Sequence, residues 1–253
     1  MQVEINFMRF FSLLWLGLSC APCLLAQQKL EEDGWREGVA KPLRMVTLSA
    51  SLREVITQIT VEEGDRVKVG QVLVNLEAAK EKVAVERLGL MLEKAIFDYN
   101  AAKRLYEQNV SSKDEALAKE LEMKRLKAEI KIAEAEVKER EVCSPLDGVV
   151  VHRFHEPGEA VNEAEPMLEL IDVDRLLLLF NLETPLLTRL KLGQEIEVSF
   201  PEISPPVQRR ATIQFIDPQV DARSGLFRVR LLLDNQDGAA RPGMKARAKF
   251  PMP

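Results

Sequence analysis

The stretch EEGDRVKVGQVLVNL at residues 62–76 returns in altered form as EPGEAVNEAEPMLEL at residues 156–170. Laid over each other without a gap, the windows extend upstream, so that residues 54–76 fall on 148–170. Gly64 meets Gly158, Asp65 meets Glu159, Val67 meets Val161, Leu73 meets Met167 and Leu76 meets Leu170. Similarity at a fixed offset marks one supersecondary unit written twice. Each copy reads as strand, turn, strand, with Gly64, Asp65 and Gly70 at turns of the first and Gly148 and Gly158 at turns of the second. Alternation through Val67, Val69 and Leu73 predicts a common face. A unit this small cannot bury its own apolar side, so the two copies are expected to pack on each other as one domain.

Between the copies the character changes. From Ala78 to Glu141 there is no proline and a single glycine, Gly89, in a segment rich in Ala, Glu, Lys, Arg and Leu. That is the composition of long solvated helices. Val85, Leu88, Leu92, Ala95, Tyr99, Ala102 and Tyr106 are spaced alternately three and four apart, as are Met123, Leu126, Ile130, Ala133 and Val137. Both series read as coiled-coil seams. They are out of phase across EQNVSSKDEA, where Asn109 supplies a turn and Ser112 with Glu115 a capping box. Two antiparallel helices joined at a tip are therefore expected, inserted into the β domain.

After the second copy, RLLLLFNL, EIEVSF, RRATIQFI, LFRVRLLLD and KARAKF read as strands separated by polar turns, the pattern of a barrel or sandwich. In LFRVR, Phe227 and Val229 share one face and Arg228 and Arg230 the other. The turn before it carries Asp217, Asp221 and Arg223. The loop after it carries Arg241 and Gly243.

The fold class is thus mainly β with an inserted α-helical hairpin. Its expected parts are a first half-domain with a preceding barrel strand at 39–77, the hairpin at 78–141, the second half-domain at 142–171 and a β-barrel at 172–253. Residues 1–26 precede these: Arg9 is followed by FFSLLWLGL and SCAPCLLAQQ, the order of a secretory signal, with Met8 as an alternative start. A retained membrane anchor or a lipidated Cys20 or Cys23 are the other readings of that segment. Export would leave Cys143 as the lone thiol, with no intramolecular disulfide and no paired-cysteine zinc site.

Composition and motifs exclude several classes. A formal net charge of -5 supplies no basic footprint for nucleic acid. No phosphate loop, HExxH or GxSxG occurs. His152 and His155 are the only histidines and would lie on opposite faces of a strand, so an exposed turn histidine, not a metal site, is expected. Cys143, beside the strand DGVVV, reads as a small buried hydrophobe. Neither an enzyme nor a cofactor is expected.

The paired half-motifs resemble the lipoyl or biotinyl carrier fold. That resemblance would make Lys80, ending LEAAK, the modified lysine, although it opens a long helix rather than a tight turn. A lipoyl-like domain split by a helical hairpin and followed by a barrel resembles the periplasmic adaptor, membrane fusion or HlyD-like family over residues 39–250. The phrases VEEGDRVKVGQVLVNLE, RLYEQNVSSKDE, CSPLDGVVVHRFHEPGEAV, QFIDPQVDARSGLFRVR and RPGMKARAKF carry it. The resemblance implies a periplasmic protein at the Gram-negative inner membrane, bridging an RND or ABC transporter and an outer-membrane channel as a homo-oligomeric ring. It implies a channel-docking tip at Arg104, Leu105, Ser111 and Ser112, and a transporter-facing barrel surface at Arg228, Arg230, Arg241 and Gly243. Three departures stand out: Glu54 where the family usually has glycine, Ala101 where the tip pattern has arginine, and an end at Pro253, from which the membrane-proximal domain of many members is expected to be missing or reduced.

Overall fold

A computed structural model describes residues 34–205 and 207–251. The apolar N-terminal segment, with Met8, Arg9, Cys20 and Cys23, lies outside the described residues. The chain divides into two compact units, one from Pro42 to Asp174 and the other from the flanking segments.

The first unit contains the repeat. Its strands are β2 (Met45–Ser49), β3 (Glu54–Ile59), β4 (Arg66–Val67), β5 (Val72–Leu76), β6 (Glu141–Cys143), β7 (Gly148–Arg153), β8 (Ala160–Val161) and β9 (Pro166–Ile171). They form two four-stranded sheets in the orders β2-β9-β7-β4 and β6-β5-β3-β8. The offset between Gly64 and Gly158 turns one order into the other. It also repeats the hydrogen bonds that join the copies. Gly64 N–H donates to Val150 O at 2.9 Å and Gly158 N–H to Ile56 O at 2.7 Å. Val150 N–H donates to Asp65 O and Ile56 N–H to Glu159 O, at 3.0 and 2.9 Å. Glu54 pairs with Val161 as Gly148 pairs with Val67. Each copy's turn is therefore closed by the other copy's strand. Between the sheets lies a core of Ile56, Val67, Leu73, Leu76, Val150, Val161, Met167, Leu168 and Leu170. Val69 is exposed, because the two-residue β4 ends at Val67 and the chain turns before the alternation can continue.

The symmetry fails at two informative places. Gly70, at φ +80°, corresponds to Ala164, at φ +64°, and both donate in the same way, to Ser144 O and Ala50 O at 2.8 Å. A side chain in the left-handed region carries a steric cost that glycine does not. Gly148 corresponds to Glu54, and a Cβ at Gly148 would stand 2.4 Å from Ile171 O and 2.6 Å from Leu146 Cδ1. The second copy is packed too closely there for any side chain.

The helical hairpin leaves from the first copy and returns to the second. Helix α1 (Ala79–Glu107) and helix α2 (Lys113–Lys138) are joined by residues 108–112. At their root Asn75 pairs directly with Glu141. Arg140 bonds the Glu81 carboxylate at 2.8 Å and the Glu136 carbonyl at 3.2 Å, so the two helix ends are tied together.

The second unit is a closed barrel in the order β1-β10-β13-β12-β11-β14. Its strands are β1 (Trp35–Pro42), β10 (Arg175–Glu183), β11 (Glu195–Phe200), β12 (Val207–Val220), β13 (Leu226–Asp234) and β14 (Lys245–Lys249). Strand β1 starts ahead of residue 39 and closes the barrel between β10 and β14. Alternate residues fill the interior, including Leu178, Phe180, Val198, Phe200, Ile213, Phe227, Val229 and Ala248. Phe180 and Phe250 meet edge to face with centroids 5.4 Å apart. Asp217 belongs to β12, which runs on to Val220, so the following turn is confined to residues 221–225.

Two outcomes follow for stability. Ala164→Gly should raise stability by about 1 kcal/mol by removing the left-handed strain, and Gly148→Ala should lower it, both read from denaturant midpoints. Replacing residues 78–141 by a short Gly/Ser turn should leave a chain that unfolds cooperatively with strand circular dichroism intact. Loss of cooperativity would mean that the helices, not the exchanged turns, hold the copies together.

Candidate docking surfaces

The hairpin seam is built from small and branched residues. Ala95, Ala102, Leu126 and Ala133 are buried, with Leu88, Leu92, Tyr99, Met123, Ile130 and Val137 half-buried beside them. Alanine on the axis lets the helices approach closely, and the outer faces stay charged. Pairs such as Glu120 with Lys124 at 2.6 Å and Arg125 between Glu122 and Glu129 lie along α2. The pairing with Glu122 and Glu129 holds the Arg125 guanidinium above its ordinary range, and Arg125 holds Glu122 below the ordinary carboxylate range. These exposed pairs keep the helices soluble more than they stabilise them.

At the tip the turn is fixed by the backbone. Asn109 takes φ +56°, and Leu105 O accepts from Val110 N–H at 2.8 Å and Ser111 N–H at 3.3 Å. Ser112 starts α2 by accepting from Glu115 N–H at 3.2 Å, the serine half of a capping box. The turn brings Leu105, Ser111 and Ser112 together, with Arg104 bonded back to Asn100 O at 3.2 Å. Leu105, Tyr106 and Val110 stand in solvent, Val110 at 70% exposure. The charged hairpin thus ends in exposed apolar side chains.

Two further stripes escape a reading by seam alone. Val83, Leu90 and Phe97, seven apart on α1, are 63–67% exposed. Leu117, Leu121 and Ile132 on α2 are exposed as well. At 100° per residue both sets lie roughly 180–240° round from their own helix's seam. Each outer edge of the hairpin therefore carries apolar side chains. The seven-residue spacing of the α1 set is visible in the sequence once the seam residues are set aside.

On the barrel, the outward face of β13 is less open than its sequence implies. Arg228 pairs with Asp217 at 3.0 Å, and the Arg230 guanidinium lies 4.3 Å above the ring of Phe215. Arg241 and Gly243 follow the opposite end of β13 from Arg228. Gly243 N–H donates to Ala40 O at 2.8 Å, binding that loop to β1. The structure does not bring Arg228 and Arg241 together.

Lys80 lies where its sequence reading put it, whereas Cys143 and His155 differ from theirs. Lys80 is in the first turn of α1, not on a tight hairpin turn, so it cannot be presented as a carrier lysine is. Cys143 is half-buried on β6, its thiol facing Glu141 O at 3.8 Å. The His155 side chain is only 15% exposed and faces two carboxylates, whereas His152 stands in solvent. Among the described residues no cluster of His, Cys, Asp and Glu is placed to hold a metal ion, and no helix is long and apolar enough to cross a membrane.

A barrel-sandwich hybrid split by a helical hairpin and paired with a six-stranded barrel is the architecture of membrane fusion proteins. Residues 44–172 match the CzcB-like barrel-sandwich hybrid domain and residues 183–252 the CusB-like beta-barrel domain. The chain belongs to the CzcB-like family. The nodulation protein NolF of Rhizobium meliloti is 27% identical over 221 residues, covering 82% of this chain and 60% of that protein. The cobalt-zinc-cadmium resistance protein CzcB of Cupriavidus metallidurans is 23% identical over 212 residues, covering 76% of this chain and 40% of that one. The chain thus spans less than two thirds of these relatives. A MacA-MexA chimera bearing the Pseudomonas aeruginosa MexA alpha-hairpin superimposes with a TM-score of 0.74 at 18% identity, over 87% of this chain and 78% of that one.

The seam and the outer stripes should respond differently to truncation. Leu126→Ala should cost about 2–4 kcal/mol of stability, while Leu121→Ala should stay within about 0.5 kcal/mol. Urea unfolding of the two variants at low protein concentration measures both.

Proposed function

We propose that this protein is the periplasmic adaptor of an efflux pump, joining an inner-membrane transporter to an outer-membrane channel by assembly rather than by catalysis. The observation that carries this reading is the hairpin: 29 and 26 residues of helix, about 40 Å long, ending in the exposed Leu105, Tyr106 and Val110. A structure that projects an apolar cap so far from its own core is built to reach a partner. The kinship with a cobalt-zinc-cadmium resistance protein and with efflux adaptor folds supports export as the task. The CusB-like barrel match favours an RND-type transporter. Periplasmic placement follows from that task and agrees with a secretory reading of residues 1–26.

The apolar stripes support a ring. A two-helix layer with one stripe on each outer edge can add copies side by side, α1 of one against α2 of the next. Such a head-to-tail contact is heterologous, and it closes when its rotation divides a circle. On the proposed transporter surface of the barrel, Arg241 is exposed, whereas Arg228 and Arg230 already have partners within the chain.

The test uses cells lacking the native gene, complemented by variants and challenged with the pump's toxic substrates. Leu105→Glu with Ser112→Glu should abolish resistance and the cross-link from the tip to the channel, at unchanged protein level and helix content. Phe97→Glu with Leu121→Glu should leave the monomer folded and remove oligomers from analytical ultracentrifugation. Full resistance with the tip variant would overturn channel docking through residues 104–112.

A further inference from the structure

The two copies of the repeat differ at one point in a way that their shared geometry does not require. In the first copy, Asp65 accepts from Glu62 N–H at 2.8 Å and Gln71 from Lys68 N–H at 3.0 Å. In the second, Glu159 accepts from Glu156 N–H at 3.1 Å and Glu165 from Asn162 N–H at 2.8 Å. The turns are thus closed alike by acceptors at equivalent positions. The residue next to both turns, however, is the buried Val61 in the first copy and His155 in the second. His155 Nδ1 lies 2.9 Å from Glu159 Oε2, and Nε2 lies 3.5 Å from Glu165 Oε1.

A neutral imidazole carries one N–H. Whichever tautomer it takes, its other nitrogen presents a lone pair to a carboxylate. Only the imidazolium can donate toward both glutamates. The carboxylates sit against different edges of the ring and converge on no common point, which fits a strap and not a metal site. Among the described residues they are the only acidic groups in ion-pair reach of this ring. Nearby charges are engaged elsewhere, Arg153 with Glu156 at 2.7 Å and His152 facing Glu63 at 3.9 Å.

The strap spans the two turns on which the first copy docks. Ile56 N–H donates to Glu159 O, and Ala50 N–H to Glu165 O at 3.0 Å. We propose that His155 is a protonation-sensitive strap, closed as imidazolium between Glu159 and Glu165, that couples ambient pH to how firmly the first copy is held on the second. This proposal does not depend on the efflux reading. Loss of the imidazole proton with rising pH turns one attractive contact into a repulsive one and loosens the strap. At the acid end the glutamates govern. Glu159 is held below the usual carboxylate range by the Glu156 backbone N–H and then by His155, and Glu165 by the backbone and side chain of Asn162, with a smaller contribution from His155. A lowered carboxylate contributes its stability above the unfolded range and loses it only as pH falls through the lowered value. On the acid side the strap therefore persists until pH falls through the lowered range of these glutamates.

The experiment follows the full chain by NMR between pH 5 and 9. It records the His155 ring nitrogens, the Glu159 and Glu165 carboxyl carbons, and hydrogen exchange at the Ala50 and Ile56 amides, corrected for intrinsic exchange. Opening of those amides should rise roughly five-fold, the size of a lost exposed ion pair, in step with loss of the ring proton. His155→Val with Glu165→Gln, which gives the second copy the residues of the first, should flatten that dependence. Ring nitrogens that titrate while the amides stay unchanged would overturn the proposal. So would an unaltered dependence in the double variant. If that variant does not fold, the titration of the native chain decides alone.

Discussion

The exchange of backbone hydrogen bonds between Gly64 and Val150 and between Gly158 and Ile56 is the constraint on which the first unit depends. Neither copy completes its turn alone: the glycine donor belongs to one and its acceptor to the other. Both acceptors belong to buried residues of one core, Ile56 and Val150, so each exposed glycine turn is anchored to the interior through the other copy. The reciprocity explains how a domain can be written in two pieces. Any segment may come between them, provided it returns the chain beside the place where it left.

The hairpin meets that condition at its root and uses its length for another purpose. Its seam is narrow and rich in alanine, and its flanks carry ion pairs of small individual worth. Stability is concentrated where α1 faces α2 and at Arg140 and Glu81, leaving the edges and the tip to be shaped by contact. The barrel shows the opposite allocation. Its interior is a continuous, mostly aliphatic core that includes Phe180, Phe200, Phe227 and Phe250, while on β13 the outward arginines are occupied by Asp217 and Phe215.

Much of this was legible in the sequence because it depends on period and offset. The alignment of 54–76 with 148–170 is the same offset by which the hydrogen bonds recur, and the two three-four seams contain the buried Ala95, Ala102, Leu126 and Ala133. The inserted hairpin within a β fold follows from those two facts. What escaped depends on side-chain partners far apart in sequence. Val69 leaves the alternation because β4 is only two residues long. Arg228 and Arg230 look free until β12 is seen to run past Asp217 and to set Phe215 opposite Arg230. His155 reads as an exposed turn residue because both of its carboxylates lie on turns whose approach no local pattern announces. The resemblance named Leu105 and Ser112 at the tip, but the exposure of Val110 beside them came only with the turn geometry.

The pairing of Asn75 with Glu141 also bears on how the chain folds. Two copies separated by about sixty residues of unstructured chain would meet rarely, since contacts between distant positions pay loop-closure entropy before they return any stability. Helices form and zip on far shorter timescales than sheets of such contact order. With α1 and α2 already side by side, the span to be closed shrinks to roughly four residues, four halvings at about 0.6 kcal/mol each. The insertion is then a splint as well as an arm: the helices written between the two copies govern how soon those copies find each other.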